Sequence, residues 1–485
     1  MDIQKIFKVI NKVSKEEQTP IYVVGGFVRD FLMEVEQKQD LDFVVGGSGL
    51  VFAKKFDEAM EQSGSLVEFP DFDTARYVLE SAVGVEIIVE FAGARAESYR
   101  ATSRKPAVEA ADIETDLSRR DFTVNAMAVP VAVFAGLRWP GIAKIKKEVV
   151  DPFHGQRDLA EKTLRTPLDP DQTFSDDPLR MMRAVRFATQ LNFAIDPCTL
   201  QSIHKNRERL SIVSAERVRE ELFKLMTCAQ PSIGLFLMFQ THLMDLVLPE
   251  ICKLDGVEEI YGHQHKNNLV HTFKVVDNIA TRTDKVLLRF AGLFHDIGKP
   301  QTKKFMPKIG WTFHQHEHVG KKMVYIICRR LKFSKNETDY LAKLVRWHQQ
   351  PIGLMDNGIT DSAVRRLIVS LGEELDDLLI LGVSDITTGN PYKLKTRQAN
   401  YIHLRARVAE VMEKDKMRSF QSPFRGEEIM AEAGLKPGPT VGKIKDAIEE
   451  AILDGVIPND HDAAKDYFQK IKDQYLRTVT DWERV

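Results

Sequence analysis

At 485 residues the chain has room for about three domains of roughly 100 to 200 residues each. Hydrophobic residues make up 43% and charged residues 28%, which excludes a mostly disordered chain. Lys and Arg number 68 against 70 Asp and Glu, so the formal charge of -2 excludes a uniformly basic coat for nucleic acid and leaves only a local basic groove open.

The N-terminal stretch MDIQKIFKVINKVSKEE reads as a charged amphipathic helix over 2–16, without the apolar centre of a signal peptide. No apolar run approaches the roughly 18 residues of a membrane span, so no membrane partner and a cytoplasmic location are expected. The four cysteines, Cys198, Cys228, Cys252 and Cys328, contain no C-x-x-C pair, which argues against a zinc knuckle or a disulfide framework. Ile21 to Val24 is a short apolar strand closed by Gly25-Gly26, and Phe27 to Met33 opens a helix. Leu41 to Val45 predicts a second strand, Leu50 to Ser63 a helix, and residues 65–69, 75–80 and 85–91 three further strands. This mixed α/β unit ends near residue 150. Residues 156–250 carry helical spacing punctuated by prolines, 265–390 are helical and rich in histidine, PYKLKTRQAN from residue 391 reads as a polar basic connector, and 401–416 as an amphipathic helix. The boundaries expected are therefore 1–150, 151–250, 251–395 and 396–485.

Chemistry enters first at Gly25-Gly26-x-x-Arg29-Asp30 followed by Asp40-Leu41-Asp42. On a strand, Asp40 and Asp42 share a face about 7 Å apart, and such like charges repel unless a cation lies between them. Carboxylate oxygens suit Mg²⁺, which also seeks substrate phosphates. Paired metals in phosphoryl transfer activate a hydroxyl and hold a triphosphate. Glycines at the start of a helix let a phosphate approach the backbone. A third carboxylate is expected on a neighbouring strand, where Glu86 and Glu90 share a face of VEIIVEF.

These residues, with SRRDFTVNAMA (118–128), DPFHGQRDL (151–159), DDPLRMMRAVRF (176–187) and SAERVREEL (214–222), resemble the five successive motifs of bacterial-type (class II) CCA-adding tRNA nucleotidyltransferases and their relatives, the bacterial poly(A) polymerases. The resemblance implies an α/β nucleotidyltransferase head with a DNA polymerase β-like mixed sheet, followed by mostly α-helical neck, HD and tail domains. It implies tRNA, ATP and CTP as partners and Mg²⁺ as cofactor. Asp40, Asp42 and Glu90 would be the catalytic metal ligands, Glu90 being preferred because the family's third carboxylate lies five residues before an arginine, here Arg95. Gly25, Gly26, Arg29, Arg120, Asp121, Asn125, Asp177, Arg180 and Arg183 would bind nucleotide.

Asp177-x-x-Arg180 is read as one helical face. An aspartate accepts from the exocyclic amino group of cytosine or adenine and an arginine donates to the ring nitrogen, whereas uracil and guanine reverse the pattern. The family pattern usually has Glu before this Asp; here Asp176 stands there. Asp151 to Asp158 resembles the family's flexible loop. An ordinary ion pair on a solvated helix is the alternative to base selection. Rival activities on the same scaffold are poly(A) synthesis, or addition of only the final A or only the two Cs.

A second constellation comprises His271, the His295-Asp296-Ile297-Gly298-Lys299 run, His316, His348 and Asp385. Imidazole and carboxylate ligands together suit a divalent metal and can bridge two. The spacing resembles an HD-type metal-dependent phosphohydrolase domain, with His316 preferred over His314 and His318 because His316-x-x-x-Gly320 matches. His263, His265 and His314 read instead as scattered surface histidines. A phosphohydrolase whose head merely binds RNA is the rival from another class, and a purely structural HD domain is the other alternative. In the tail, Lys436, Lys443 and Lys445 are candidates to meet RNA phosphates.

Overall fold

The computed structural model describes the chain apart from residues 1–2, 36–39, 81–83, 85, 99–106, 137, 258, 261–262, 265–266, 356–359, 416–421, 478, 480 and 485. Val85 and His265 thus lie outside the described residues. The chain forms two compact units, Met1–Cys252 and Lys253–Val485.

The first unit is built on a six-stranded mixed sheet. Its strands β1 (Ile21–Val24), β2 (Asp40–Val45), β3 (Ser65–Phe69), β4 (Thr74–Glu80) and β5 (Glu86–Gly93) are ordered β3-β4-β5-β2-β1, with Ala128–Pro130 beside β1. Only β2 and β5 pair in parallel; the other neighbours are antiparallel. Alternation fixes the faces: Leu41 and Phe43 of β2, and Ile87, Val89 and Phe91 of β5, point into the core. There they meet Phe7 from the helix Ile3–Glu16 and Phe52 and Phe56 from the helix Gly49–Ala59. Asp40 and Asp42 stand on the opposite, open face. A slip of one residue in β2 would bury both carboxylates and expel two apolar side chains, so core burial and site geometry demand the same register.

Beyond residue 160 this unit is helical. Prolines occupy the first turn of Pro170–Asp176, Pro197–Asn206 and Pro231–Gln240, where a missing N–H costs nothing. Leu179–Leu191 packs against both Ala215–Met226 and Pro231–Gln240. Gly234 makes the second crossing close: a Cβ there would lie 2.5 Å from Leu225 and Thr189 side-chain atoms.

In the second unit the helices Asn268–Ala280, Val286–Phe294, His316–Arg330, Lys335–Trp347 and Leu375–Ser384 pack together, and a hairpin pairs Lys304–Met306 with Gly310–Thr312. A separate small core gathers Phe424, Ile429, Ile444, Ile448 and Phe468. The expected basic connector is not a loop. Residues Pro391–Asp415 form one 25-residue helix. Lys, Leu, Arg, Gln and Ala are good helix formers, Pro391 is tolerated at the first turn, and a buried stripe of Tyr401, Leu404, Val408 and Val411 anchors the helix. The polarity of 391–400 reflects exposure, not the absence of structure. Among the described residues no helix is long and apolar enough to cross a membrane.

Candidate active site and metal cage

On the open face of the sheet, Asp42 lies directly across from Glu90 in the parallel β2–β5 ladder, and Asp40 projects two residues earlier on the same face. Glu86 pairs with Glu80 two residues beyond the end of that ladder, and lines a different depression. Arg76, the cross-strand partner of Glu90 on β4, donates from Nε to Glu90 Oε1 at 2.8 Å. The sequence reading overlooked Arg76; its signal is the register of β4, visible only once the ladder is built.

The surrounding protein, with the negative charges of Glu90 and Asp40, pushes the Asp42 carboxyl up to about 6, against the opposing pull of Arg120. Three crowded acids thus favour a proton or a cation, and their all-oxygen donor set fits a hard divalent ion. Gly25 has φ +70, and a Cβ there would stand 3.3 Å from Arg120 Nη1 and 3.6 Å from Asp42 Oδ2. Only glycine takes that backbone shape without strain and keeps the approach to both groups open.

These acids, Gly25 and Gly26 border a cavity of about 790 Å³. Its opposite wall is a chain of charged hydrogen bonds. Arg29 donates from Nε to Asp30 Oδ1 (2.7 Å) and from Nη1 to Asn125 Oδ1 (2.7 Å), Asn125 donates to Asp121 Oδ1 (3.1 Å), and Arg183 donates from Nε to Asp121 Oδ2 (2.9 Å). Burial alone would raise the Asp121 carboxyl, yet Arg183 and Asn125 hold it down at about 2. Both Asp121 oxygens are occupied, so its geometry orients Arg183 and Asn125. Phe187 lies under the guanidinium groups of Arg29, Arg183 and Arg186, at 5.4, 5.3 and 3.9 Å from its ring centre. Arg186 is in turn held by buried Glu221 at 2.6 Å. Arg120 reaches the cavity from Asp116, to which it donates at 3.1 Å, and its buried Nε has no hydrogen-bond partner.

Asp177 and Arg180 do not share one helix. Asp177 is extended, in the joint between Pro170–Asp176 and Leu179–Leu191, because the residue before a proline avoids the helical region. Its Oδ1 accepts from Leu179 N at 3.1 Å, while Arg180, in the first turn of the second helix, donates to the Arg119 carbonyl at 2.6 Å. Neither Asp177 nor Arg180 lines the cavity of the three acids; Arg180 borders a separate depression with Arg119, Gln172 and Asp176. The Asp151–Asp158 segment runs into a short helix, Gly155–Ala160, whose first N–H groups are capped by Asp151 at 2.6 and 3.0 Å. Asp158 is fully buried and accepts from Thr123 Oγ1 at 2.7 Å.

In the second unit, His271, His295, Asp296, His316, His348 and Asp385 converge. His271 Nε2 lies 2.8 Å from Asp385 Oδ1 and 3.7 Å from Asp296 Oδ2; His295 Nε2 lies 3.2 Å from Asp296 Oδ2; His316 Nε2 lies 3.4 Å from Asp296 Oδ1 and 3.2 Å from His348 Nε2. The Nδ1 atoms of His295, His316 and His348 meet the carbonyls of Gly292, Phe313 and Val345 at 2.7, 2.8 and 2.7 Å. A carbonyl only accepts, so each Nδ1 carries its proton and each Nε2 turns inward as a potential ligand. His271 Nδ1 is held by Thr387 Oγ1 at 2.7 Å.

Two triads have ligand atoms close enough to share an ion, His271–His295–Asp296 and Asp296–His316–His348, with Asp296 common to both. Burial disfavours charge on His295, but Asp296 and Asp385 push it up to about 10, whereas burial and the neighbouring rings push His348 down to about 3. His295 Nε2 is buried without a hydrogen-bond partner. That orphaned atom and the mixed N/O donor set fit divalent cations. Lys299 Nζ touches Asp296 Oδ2 at 2.6 Å. The two halves of the cage meet through glycine: a Cβ on Gly298 would fall 2.1 Å from the His316 carbonyl oxygen and 2.8 Å from Gly320 N.

Three family models match the chain: a poly A polymerase head domain over residues 21–165, a probable RNA and SrmB-binding site of polymerase A over 192–254, and an HD domain over 265–390. The chain is 32% identical over 349 residues to the A-adding tRNA nucleotidyltransferase of Deinococcus radiodurans, covering 70% of this chain and 75% of that protein. It is 30% identical over 454 residues to the CC-adding tRNA nucleotidyltransferase of Thermus thermophilus, covering 91% and 92%. Its fold is similar to that of the Bacillus stearothermophilus CCA-adding enzyme in complex with CTP, with a TM-score of 0.66 at 20% identity over 99% of this chain and 100% of the other.

Proposed function

This chain belongs to the tRNA nucleotidyltransferase and poly(A) polymerase family, and we propose that it adds CMP and AMP, as CCA, to the 3′ end of tRNA without a template, using CTP and ATP. The observation that carries the reading is the set of three acids, Asp40, Asp42 and Glu90, facing one cavity whose far wall presents Arg29, Asn125 and Arg183. Mg²⁺ is the ion proposed for the acids; bound there, it lowers the pKa of an attacking 3′-hydroxyl and neutralises triphosphate charge. Gly25 and Gly26 leave space for phosphate oxygens, and Arg120 brings a planar cation to the same edge of the cavity.

Asp121 and Asn125 act by holding Arg183 and Arg29 in place. Asp177 and Arg180 select the base, the carboxylate accepting from the amino group of C or A and the guanidinium donating to the ring nitrogen. They stand on either side of Pro178, so different backbone segments carry the carboxylate and the guanidinium. The segments 1–150, 151–250, 251–395 and 396–485 serve as head, neck, HD and tail, in a cytoplasmic enzyme. Incorporation assays on tRNA ending before CCA, with each nucleotide alone and then together, test the reading. Addition beyond the third residue, or indifference to CTP, would replace it with poly(A) synthesis; a halt after two Cs, or addition of A only to tRNA already ending in CC, would replace it with a partial activity.

A second activity is favoured by the convergence of four inward Nε2 atoms on Asp296 and Asp385. We propose a divalent-metal phosphohydrolase there, with Lys299 beside the ligands to meet a phosphate oxygen. Hydrolytic opening of a nucleoside 2′,3′-cyclic phosphate to the monophosphate, or release of phosphate from a phosphomonoester, dependent on added metal and abolished by chelator, is the expected result.

A further inference from the structure

The helix His316–Arg330 begins at a cage ligand and ends in two arginines. One side, with Gly320, Met323, Val324, Ile327 and Cys328, is buried. On the other, at the spacings that share a helical face, stand Lys321, Lys322, Arg329 and Arg330, all exposed. The helix has one acid, Glu317, which is only 16% exposed and turned towards Arg346 at 3.9 Å. Lys321, Lys322 and Arg329 have no carboxylate partner among the described residues. Between the cations lie Tyr325 and Ile326, 41% and 62% exposed.

The adjoining helix Lys335–Trp347 carries two acids, one engaged in its own N-terminal cap and one bonded to Tyr325 of this face. Glu337 accepts from Ser334 N at 2.6 Å, and Asp339 accepts from Tyr325 OH at 3.1 Å. In a chain of formal charge -2 this is local charge placement, not a by-product of a basic protein.

We infer that the exposed face of His316–Arg330 is an RNA-docking surface that holds the sugar–phosphate backbone. Two cation pairs eight residues apart are separated by about 12 Å along the axis, so they engage different phosphates of one strand. Lysine is depleted from protein–protein interfaces but serves as a point charge for phosphate, which favours RNA over a protein partner. The aromatic ring of Tyr325 offers a stacking surface to a base. Because the helix starts at His316, a strand lying along it is led towards the cage, which gives the hydrolytic site a polynucleotide end as its substrate class. The identity of the RNA as tRNA rests on the function proposed above.

The test reverses two charges in the full-length protein, Lys322→Glu with Arg329→Glu, and measures binding of tRNA lacking CCA across a salt series. The slope of log affinity against log salt should fall by about 2, and affinity at 0.1 M salt by roughly tenfold. The KM for tRNA in nucleotide addition should rise while kcat and the KM for CTP stay unchanged. The pair Lys322→Gln with Arg329→Gln should show the same loss of slope should the glutamates disturb folding, and Arg329→Lys should restore binding. An unchanged salt slope in a variant that melts like the wild type overturns the inference, as does selective loss of binding to anionic lipid vesicles or of self-association while RNA binding persists. Failure of the wild type to extend tRNA would sink the proposed function alone, since the salt series still reads RNA docking.

Discussion

The two charged centres of this molecule solve opposite problems. The acids of the first unit are presented by adjacent strands to an open cavity, so the strand register sets their spacing and water reaches them. The cage of the second unit is almost wholly buried, and three of its rings are pinned by backbone carbonyls near helix ends. An open row of acids accommodates a substrate that brings its own phosphates and leaves again. A closed cage would hold a divalent cation on ligands whose directions are fixed before any substrate arrives. Replacing one of the three acids of the open row should therefore disturb chemistry without folding, and replacing a cage residue should disturb both.

The largest expected effect tests the open centre. Asp42→Asn should reduce nucleotide incorporation by roughly 10³-fold, about 4 kcal/mol of transition-state stabilisation, with an unchanged melting curve. Substantial residual activity would break the assignment of this acid. Next, His295→Ala with Asp296→Ala should remove bound divalent metal and all phosphohydrolase turnover, and lower the melting temperature by several degrees, because buried partners are left unpaired. Nucleotide addition should survive in the folded fraction. Metal content by mass spectrometry, calorimetry and both assays on one preparation decide this; collapse of addition in a well-folded variant would show the centres to be coupled.

A smaller effect, roughly 10²-fold, is expected in base choice. Asp177→Ala and Arg180→Ala should each narrow the preference for CTP and ATP over UTP and GTP. Equal slowing of all four nucleotides in competition assays would mean that the pair supports the fold instead.

The smallest effect sharpens the electrostatics. Asp121 has a folded pKa near 2, below its unfolded value near 3.8, so its ion network stabilises the fold above the unfolded pKa and loses that contribution as pH falls towards 2. Asp121→Asn should thus cost about 2 kcal/mol at pH 7, and the gap from wild type in melting experiments should close between pH 5 and pH 2. A gap independent of pH would assign the loss to packing.

How far these centres can be read from the sequence follows the same divide. Asp40 and Asp42 were legible because period-2 alternation against Leu41 and Phe43 leaves only one register for them. Glu90 needed more than alternation, since Glu86 shares its parity; the ladder with β2 separates the two. The cage residues were legible as types, but what aims them was not: their partners at Gly292, Phe313 and Val345 are main-chain oxygens, which leave no trace in residue identity. Spacing alone puts Asp177 on the helix of Arg180, but the effect of Pro178 on the preceding residue outweighs periodicity. The helix Pro391–Asp415 was half missed because its first turns bury little, so amphipathicity fades while helix propensity persists.

The contact of Gly298 with the first turn of His316–Arg330 gives the cage an unusual kind of inheritance. The turn at Gly298 packs on the main chain of His316 and Gly320 with no room for a Cβ, so it is backbone that bears on the approach of the two triads. Side chains around the cage can drift without stretching that ruler, whereas a single methyl group at position 298 would prise the triads apart. Evolution can thus retune what the site grips through its rim, but it can change the span between the two ligand triads only by rebuilding the turn itself.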